Sequence, residues 1–139
     1  RQAGAEVYAK YCAACHQADG SGSKSLDPKV PAVWGPGSFS VGASMTRESK
    51  GASFIWHNMP YGAGKSLTHQ QAYDVAAYIS AQPRPDSPGK ERDWPNGGGP
   101  RDVPYATAGR EAMNPPPRLL RRATPDRALV PAPRKAGRS

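Results

Sequence analysis

Cys12-Ala13-Ala14-Cys15-His16 is the place in this 139-residue chain where residue types and spacing combine into recognisable chemistry. Two cysteines three positions apart could form a disulfide, a redox dithiol, half of a zinc site or a haem attachment pair. The residue that follows decides between them. On a helix the two thiols lie about one turn apart, so each can add to a different vinyl group on one porphyrin edge, while the adjacent imidazole swings beneath the ring to bind iron. A thioredoxin-like dithiol would need alternating strands and helices, and a structural zinc site would need more ligands than the chain groups together. One covalent haem c, held by Cys12, Cys15 and His16, is therefore the expected cofactor. A haem-bound imidazole also needs its second ring nitrogen satisfied, commonly by a backbone carbonyl, and the loop Lys29 to Pro31 is the expected supplier.

The sixth iron ligand is sought among three methionines, because a thioether is the usual partner of histidine in an electron carrier of fairly high potential. Met59 precedes Pro60, ends a helical face and leads into the Gly-containing loop Tyr61 to Gly64, so it is the expected ligand, with His16 and Met59 as the two iron-binding side chains. Met45 reads as a core or haem-contact residue, and Met113 lies in the C-terminal tail. His57, two positions before Met59, points to a different side of the helix and is expected at the surface. Trp34 or Arg47 is expected to hydrogen-bond a haem propionate. Trp34, Phe39, Phe54, Trp56 and the helix tyrosines are read as pocket walls that exclude water. An iron with six ligands has no vacant position for a substrate, so the expectation is an electron carrier rather than an enzyme.

These residues need helices to position them. Ala3 to about Cys15 contains no proline and places Gly4 and Tyr8 on one face, which predicts a helix delivering the cysteines. Glycines and prolines from Gly20 to Gly37 then predict a long loop. Ala52, Ile55, Trp56 and Met59 follow helical spacing up to Pro60. A third helix opens on the capping-box pair Thr68 and Gln71, carries the stripe Ala72, Val75, Ala76 and Ile79, and should end near Gln82. No alternation persists long enough to predict a sheet, so the fold class is all-α, with about three main helices around one haem and a Pro/Gly-rich C-terminal extension.

Hydrophobic residues make up 37% of the chain, beside 16 prolines and 15 glycines, which is thin for a core that must offset backbone ordering unaided. A haem would fill that middle. The net charge of +8 is unevenly spread: residues 1–82 carry seven Lys/Arg against five Asp/Glu, and residues 83–139 carry twelve against six. The organisation expected is a haem domain over 1–82, an ordered wrapping extension over 83–105, and a basic Pro/Arg-rich tail over 106–139 read as disordered. Steering toward an acidic redox partner is a lesser reading of that tail. Charge alone does not predict nucleic-acid binding without a recognised fold or basic helix. No stretch approaches a transmembrane segment, and no signal peptide is visible. Because bacteria attach haem covalently outside the cytoplasm, the expected location is the periplasm or another exported compartment, with an export signal preceding Arg1 in the precursor.

The order of a helix into Cys-x-x-Cys-His, a Gly/Pro loop, Met-Pro and the helix Asp74-Val75-Ala76-Ala77-Tyr78-Ile79 resembles class I cytochrome c. That resemblance implies that the first and last helices cross, with Gly4 and Tyr8 against Tyr78. Trp34 to Phe39, Gly42 to Met45, Phe54 to Pro60 and the run from Ala81 to Tyr105 more narrowly resemble the C-terminal haem domain of thiosulfate dehydrogenase-type dihaem cytochromes. Such enzymes join two thiosulfates into tetrathionate at an N-terminal haem with a cysteine ligand, and electrons leave through the second haem. This chain has one haem motif and no third cysteine. The resemblance thus implies an electron-exit module in sulfur-compound oxidation or a related respiratory chain, working with redox partner proteins and with a second haem domain or catalytic subunit. The alternative it implies is the haem domain of a thiosulfate dehydrogenase, or a fragment of one.

Overall fold

The computed structural model describes residues 2–111 and 117–121. The chain enters as helix α1 (Gln2–Tyr11), whose buried residues Gly4, Val7 and Tyr8 follow the i, i+3, i+4 spacing of one helical face. The helix predicted to run unbroken to Cys15 is divided at Cys12, where φ is −121° and ψ −38°, and a single further turn, α2 (Ala13–His16), follows. The four-residue hydrogen-bond ladder nevertheless continues across the break, from Cys12 N–H to the Tyr8 carbonyl and from His16 N–H to the Cys12 carbonyl, both at 2.9 Å. The chain leaves α2 at Gln17 with φ of 67°. The Tyr8 hydroxyl fixes that exit by donating to the Gln17 carbonyl at 2.5 Å.

A loop then leads through one 3-10 turn (Ser44–Thr46) into α3 (Glu48–Asn58). Helix α3 buries Gly51, Ala52 and Ile55 and stops at Met59, the residue before a proline, where continued helix is sterically disfavoured. Helix α4 (His69–Ser80) opens on the predicted reciprocal box: the Thr68 side chain accepts from Gln71 N–H, and the Gln71 side chain accepts from Thr68 N–H. It buries Ala72, Val75, Ala76 and Ser80, and it ends two residues earlier than the sequence predicts.

Helix α4 is the hub, packed on one side by α1 and on another by α3. A Cβ built on Gly4 would collide with the Asp74 carbonyl and lie 2.7 Å from the Tyr78 Cβ, so only a residue without a side chain permits this crossing. The Tyr8 and Tyr78 rings meet there at 5.6 Å, as the resemblance implies, and Trp34 joins them at 4.8 Å from Tyr8 and edge-on at 5.8 Å from Tyr78. The main core gathers Val7, Tyr8, Trp34, Ala52, Ile55, Leu67, Ala72, Val75 and Ala76, with Cys12, Val33, Met59 and Ile79 on its rim.

The segment after α4 wraps back over the domain. Val103 and Tyr105 bury Val41 in a second, smaller cluster. Strand pairing, which the sequence did not predict, occurs where β1 (Arg84–Pro85) runs parallel to β2 (Leu119–Leu120), two residues each. Thr107 and Arg110 also form a bridge. Part of the segment 106–139, read from sequence as disordered, is therefore placed against the domain, because the β1 backbone offers Arg84 N–H and Asp86 N–H to the Arg118 and Leu120 carbonyls. The remainder of that tail, including Met113, lies outside the described residues. Among the described residues no helix is long and apolar enough to cross a membrane.

Candidate haem site

Helix α1 and the turn α2 deliver the three motif residues. Cys12 is partly buried, Cys15 is exposed, and both thiols are free. Burial pushes the Cys12 thiol up to about 11, with the neighbouring Cys15 adding to the effect. A reactive redox dithiol needs a depressed thiol pKa, so the shift runs against that reading. Among the described residues no three His, Cys, Asp or Glu side chains gather as a metal centre of their own would require.

His16 Nδ1 lies 2.9 Å from the Pro31 carbonyl, within the loop expected to supply this contact. A carbonyl can only accept, so Nδ1 carries the proton and Nε2 keeps its lone pair for a metal. The loop is itself pinned: Gly22 N–H donates to the His16 carbonyl at 2.9 Å, and Val33 N–H to the Gly20 carbonyl at 2.8 Å. A Cβ on Gly20 would meet the Trp34 indole, which ties the loop to the helix crossing.

Met59 is half-buried on the rim of the core. Its N–H donates to Ile55 at 2.8 Å, and the loop beyond it closes through Ala63 N–H to Pro60 at 2.8 Å and Lys65 N–H to Trp56 at 2.7 Å. Phe54 and Tyr61, on either side of Met59 in sequence, and Leu26, in the loop after His16, are exposed large apolar side chains. Two free thiols, an imidazole held in one tautomer and uncovered apolar side chains are what a covalently attached porphyrin needs, so the residues fit haem c. His57 is exposed, as expected, with Nδ1 2.7 Å from the Ser53 carbonyl.

The two residues expected to meet a propionate are placed differently. Trp34 is buried in the aromatic cluster behind α1. Arg47, at the N-cap of α3, gives its Nε to Asp102 of the extension at 2.9 Å, so its charge is already matched. Asp102 also accepts from the Ser49 N–H at 2.9 Å and from the Ser49 hydroxyl. Burial alone would raise the Asp102 carboxyl, but the Ser49 and Arg47 hydrogen bonds outweigh it and hold the group down at about 2. The helix has no side-chain cap of its own, and a residue 53 positions away supplies one.

Arg84 falls in the run from Ala81 to Tyr105 that carries the family resemblance, with no role of its own assigned to it there. It is wholly buried, and burial depresses its guanidinium to about 10. Nη2 donates to the Ile79 carbonyl at 2.5 Å and reaches the Val33 carbonyl at 3.5 Å, while Cζ stands 4.6 Å from the centre of the Phe39 ring. Nε and Nη1 have no partner among the described residues. Its position between Pro83 and Pro85, shortly after α4, marks a turn but not a buried cation.

The Cytochrome c family model matches residues 2–83. The chain belongs to the cytochrome c family. As a member of it, the domain carries covalently bound haem c and transfers electrons. The chain is 44% identical over 102 residues to the thiosulfate dehydrogenase of Psychrobacter arcticus, a match covering 72% of this chain and 31% of that protein. It is 46% identical over 84 residues to the thiosulfate dehydrogenase of Allochromatium vinosum, covering 59% and 31%. The solved thiosulfate dehydrogenase TsdBA of Marichromatium purpuratum superposes with a TM-score of 0.56 at 46% identity, over 63% of this chain and 19% of that one. The cytochrome thus spans about a third of the length of these curated relatives.

Proposed function

We propose that this cytochrome is a single-electron relay in which Cys12 and Cys15 form the thioether bonds, His16 Nε2 binds iron from one side and the Met59 sulfur from the other. Haem c bound there supplies one-electron storage at iron. The observation that carries the reading is the His16 to Pro31 hydrogen bond, which leaves Nε2 free as a donor. Met59 is supported by its place at the end of α3, on the rim shared with Cys12. Trp34 closes the site from behind α1, and the haem domain ends with α4, the segment 83–105 serving as its wrap. The relatives favour a setting in sulfur-compound oxidation outside the cytoplasm, in which the domain passes electrons from a catalytic haem domain to a redox partner.

Replacing Met59 with Ala in the matured protein is expected to abolish the far-red methionine-to-iron charge-transfer band of the oxidised state and to lower the midpoint potential. An unchanged spectrum rejects Met59. The relatives' names also support a second reading, that the domain is part of a thiosulfate-oxidising enzyme. Assay of the isolated chain with thiosulfate and an artificial acceptor is expected to show no turnover, since one haem motif and two cysteines leave no counterpart of a catalytic half. Turnover at enzymatic rates would favour the second reading.

A further inference from the structure

Met59 stands at the mouth of a loop whose composition works against holding a sulfur atom steady. Residues 60–67 include Gly62 and Gly64, and a glycine-containing loop loses much conformational entropy when it is ordered. The loop joins the end of α3 to the start of α4. Its far end therefore has to be fastened back onto α3 if Met59 is to keep one position.

Trp56 fastens it with three groups. Its carbonyl accepts from Lys65 N–H at 2.7 Å. Its indole Nε1–H donates to the Leu67 carbonyl at 3.1 Å. The Lys65 ammonium stands 5.6 Å from the centre of the same ring, within cation–π range. The indole is itself anchored, since it packs against the main core and meets the His57 ring at 4.8 Å and the His69 ring at 4.6 Å. It thus touches the last turn of α3 and the first turn of α4 together. Two features of the backbone show how closely the loop is drawn in. A Cβ on Gly64 would collide with the His57 carbonyl. Lys65 takes a φ of 64°, a left-handed conformation that a residue with a side chain keeps only where its surroundings impose it.

Trp56 lies three residues before Met59, one turn back along α3, and both sit on the rim of the core. We infer that Trp56 is the positioning residue of the sixth iron ligand: by stapling the far end of the loop 60–67 to α3, it holds the Met59 sulfur in place. The inference rests on the iron ligation by Met59 proposed above. It gives Trp56 a task different from the pocket wall expected from the sequence, because the residue acts through Met59. A thioether ligand raises the potential of a haem, so a looser loop weakens the sulfur–iron bond and lowers that potential. An entering ligand that competes with Met59 also binds more tightly when the loop yields.

The test uses the matured, oxidised holoprotein and imidazole, which can bind the iron only when Met59 leaves it. Trp56→Phe keeps an aromatic ring in the core and removes the indole donor. It is expected to tighten imidazole binding about fivefold, the effect of one lost hydrogen bond, and to lower the midpoint potential. Tyr105→Phe, which breaks a hydrogen bond away from the loop, is expected to leave imidazole binding unchanged. Wild-type imidazole affinity and potential in Trp56→Phe would overturn the inference. An equal tightening in Tyr105→Phe would do the same, since it would mark a general loss of stability. In the unmutated protein, saturating imidazole is expected to speed the solvent exchange of the Trp56 indole proton and the Lys65 amide proton, read by NMR. Unchanged protection of both protons would overturn the inference even if Trp56→Phe fails to mature. An unmutated ferric protein that lacks the methionine-to-iron band would instead fail the Met59 reading, a separate result.

Discussion

Where α1 crosses α4, contact is made through the absence of a side chain: Gly4 lets two backbones touch, and Tyr8, Tyr78 and Trp34 fill the space around them. Where the extension meets α3, contact is concentrated in one carboxylate, Asp102, which binds Arg47 Nε, Ser49 N–H and the Ser49 hydroxyl. The first junction is apolar and spread over many atoms, so pH and salt should leave it alone. The second is ionic and focused, so it should respond to both. The helix that leads into the cysteines is thus secured by packing, and the helix that leads into Met59 by electrostatics at its far end.

Three experiments break or sharpen this contrast. Gly4→Val should do the most damage, since its branched side chain must displace the Asp74 carbonyl and Tyr78; a loss of about 3 kcal/mol, read as a shift in the denaturant midpoint of the holoprotein, is expected at every pH where the protein folds. A loss below about 1 kcal/mol would mean the crossing yields more easily than its geometry implies.

Asp102→Ala should cost about 2 kcal/mol at neutral pH, because it orphans the α3 N–H group and Arg47 together. Its pH dependence has a definite sign. The folded carboxyl is held at about 2, below its ordinary value of roughly 3.9, so its contribution is complete above that ordinary value and fades as pH falls through the folded one. The stability gap between Asp102→Ala and the unmutated protein should therefore close between about pH 4 and pH 2. A gap that stays constant over that window would remove the ionic character assigned to the junction.

Tyr105→Phe is the smallest change. Burial first, and then its bond to Asp93, push the Tyr105 hydroxyl up to about 12, so it remains a donor to Asp93 at 2.8 Å across the usable pH range. Removing it should cost about 1 kcal/mol by thermal melting without shifting the haem spectrum. A spectral change would show that the extension grips the site more tightly than the Asp102 contact implies.

What could be read in advance follows sequence separation. The reciprocal box of Thr68 and Gln71 and the stop before Pro60 each depend on residues within one or two turns, and each takes the predicted form. The Gly4 and Tyr8 contact with Tyr78 spans the chain, yet it was accessible through family resemblance. The division of α1 at Cys12 was not, because the alanine-rich run offers no breaker there. Two-residue strands carry no periodicity, so β1 and β2 left no trace either.

The amino-acid sequence alone determined the cofactor chemistry, the helix that delivers it and the cap that starts α4, because those depend on side-chain type and on spacing along a single turn. Only the tertiary structure decided that Asp102 caps α3, that Arg47 is already paired and that Arg84 is buried with no counter-charge among the described residues. The physical reason is that the energy of a charge depends on what surrounds it in space. For these three residues the surroundings come from segments far apart in the chain, brought together only when the extension closes over the domain.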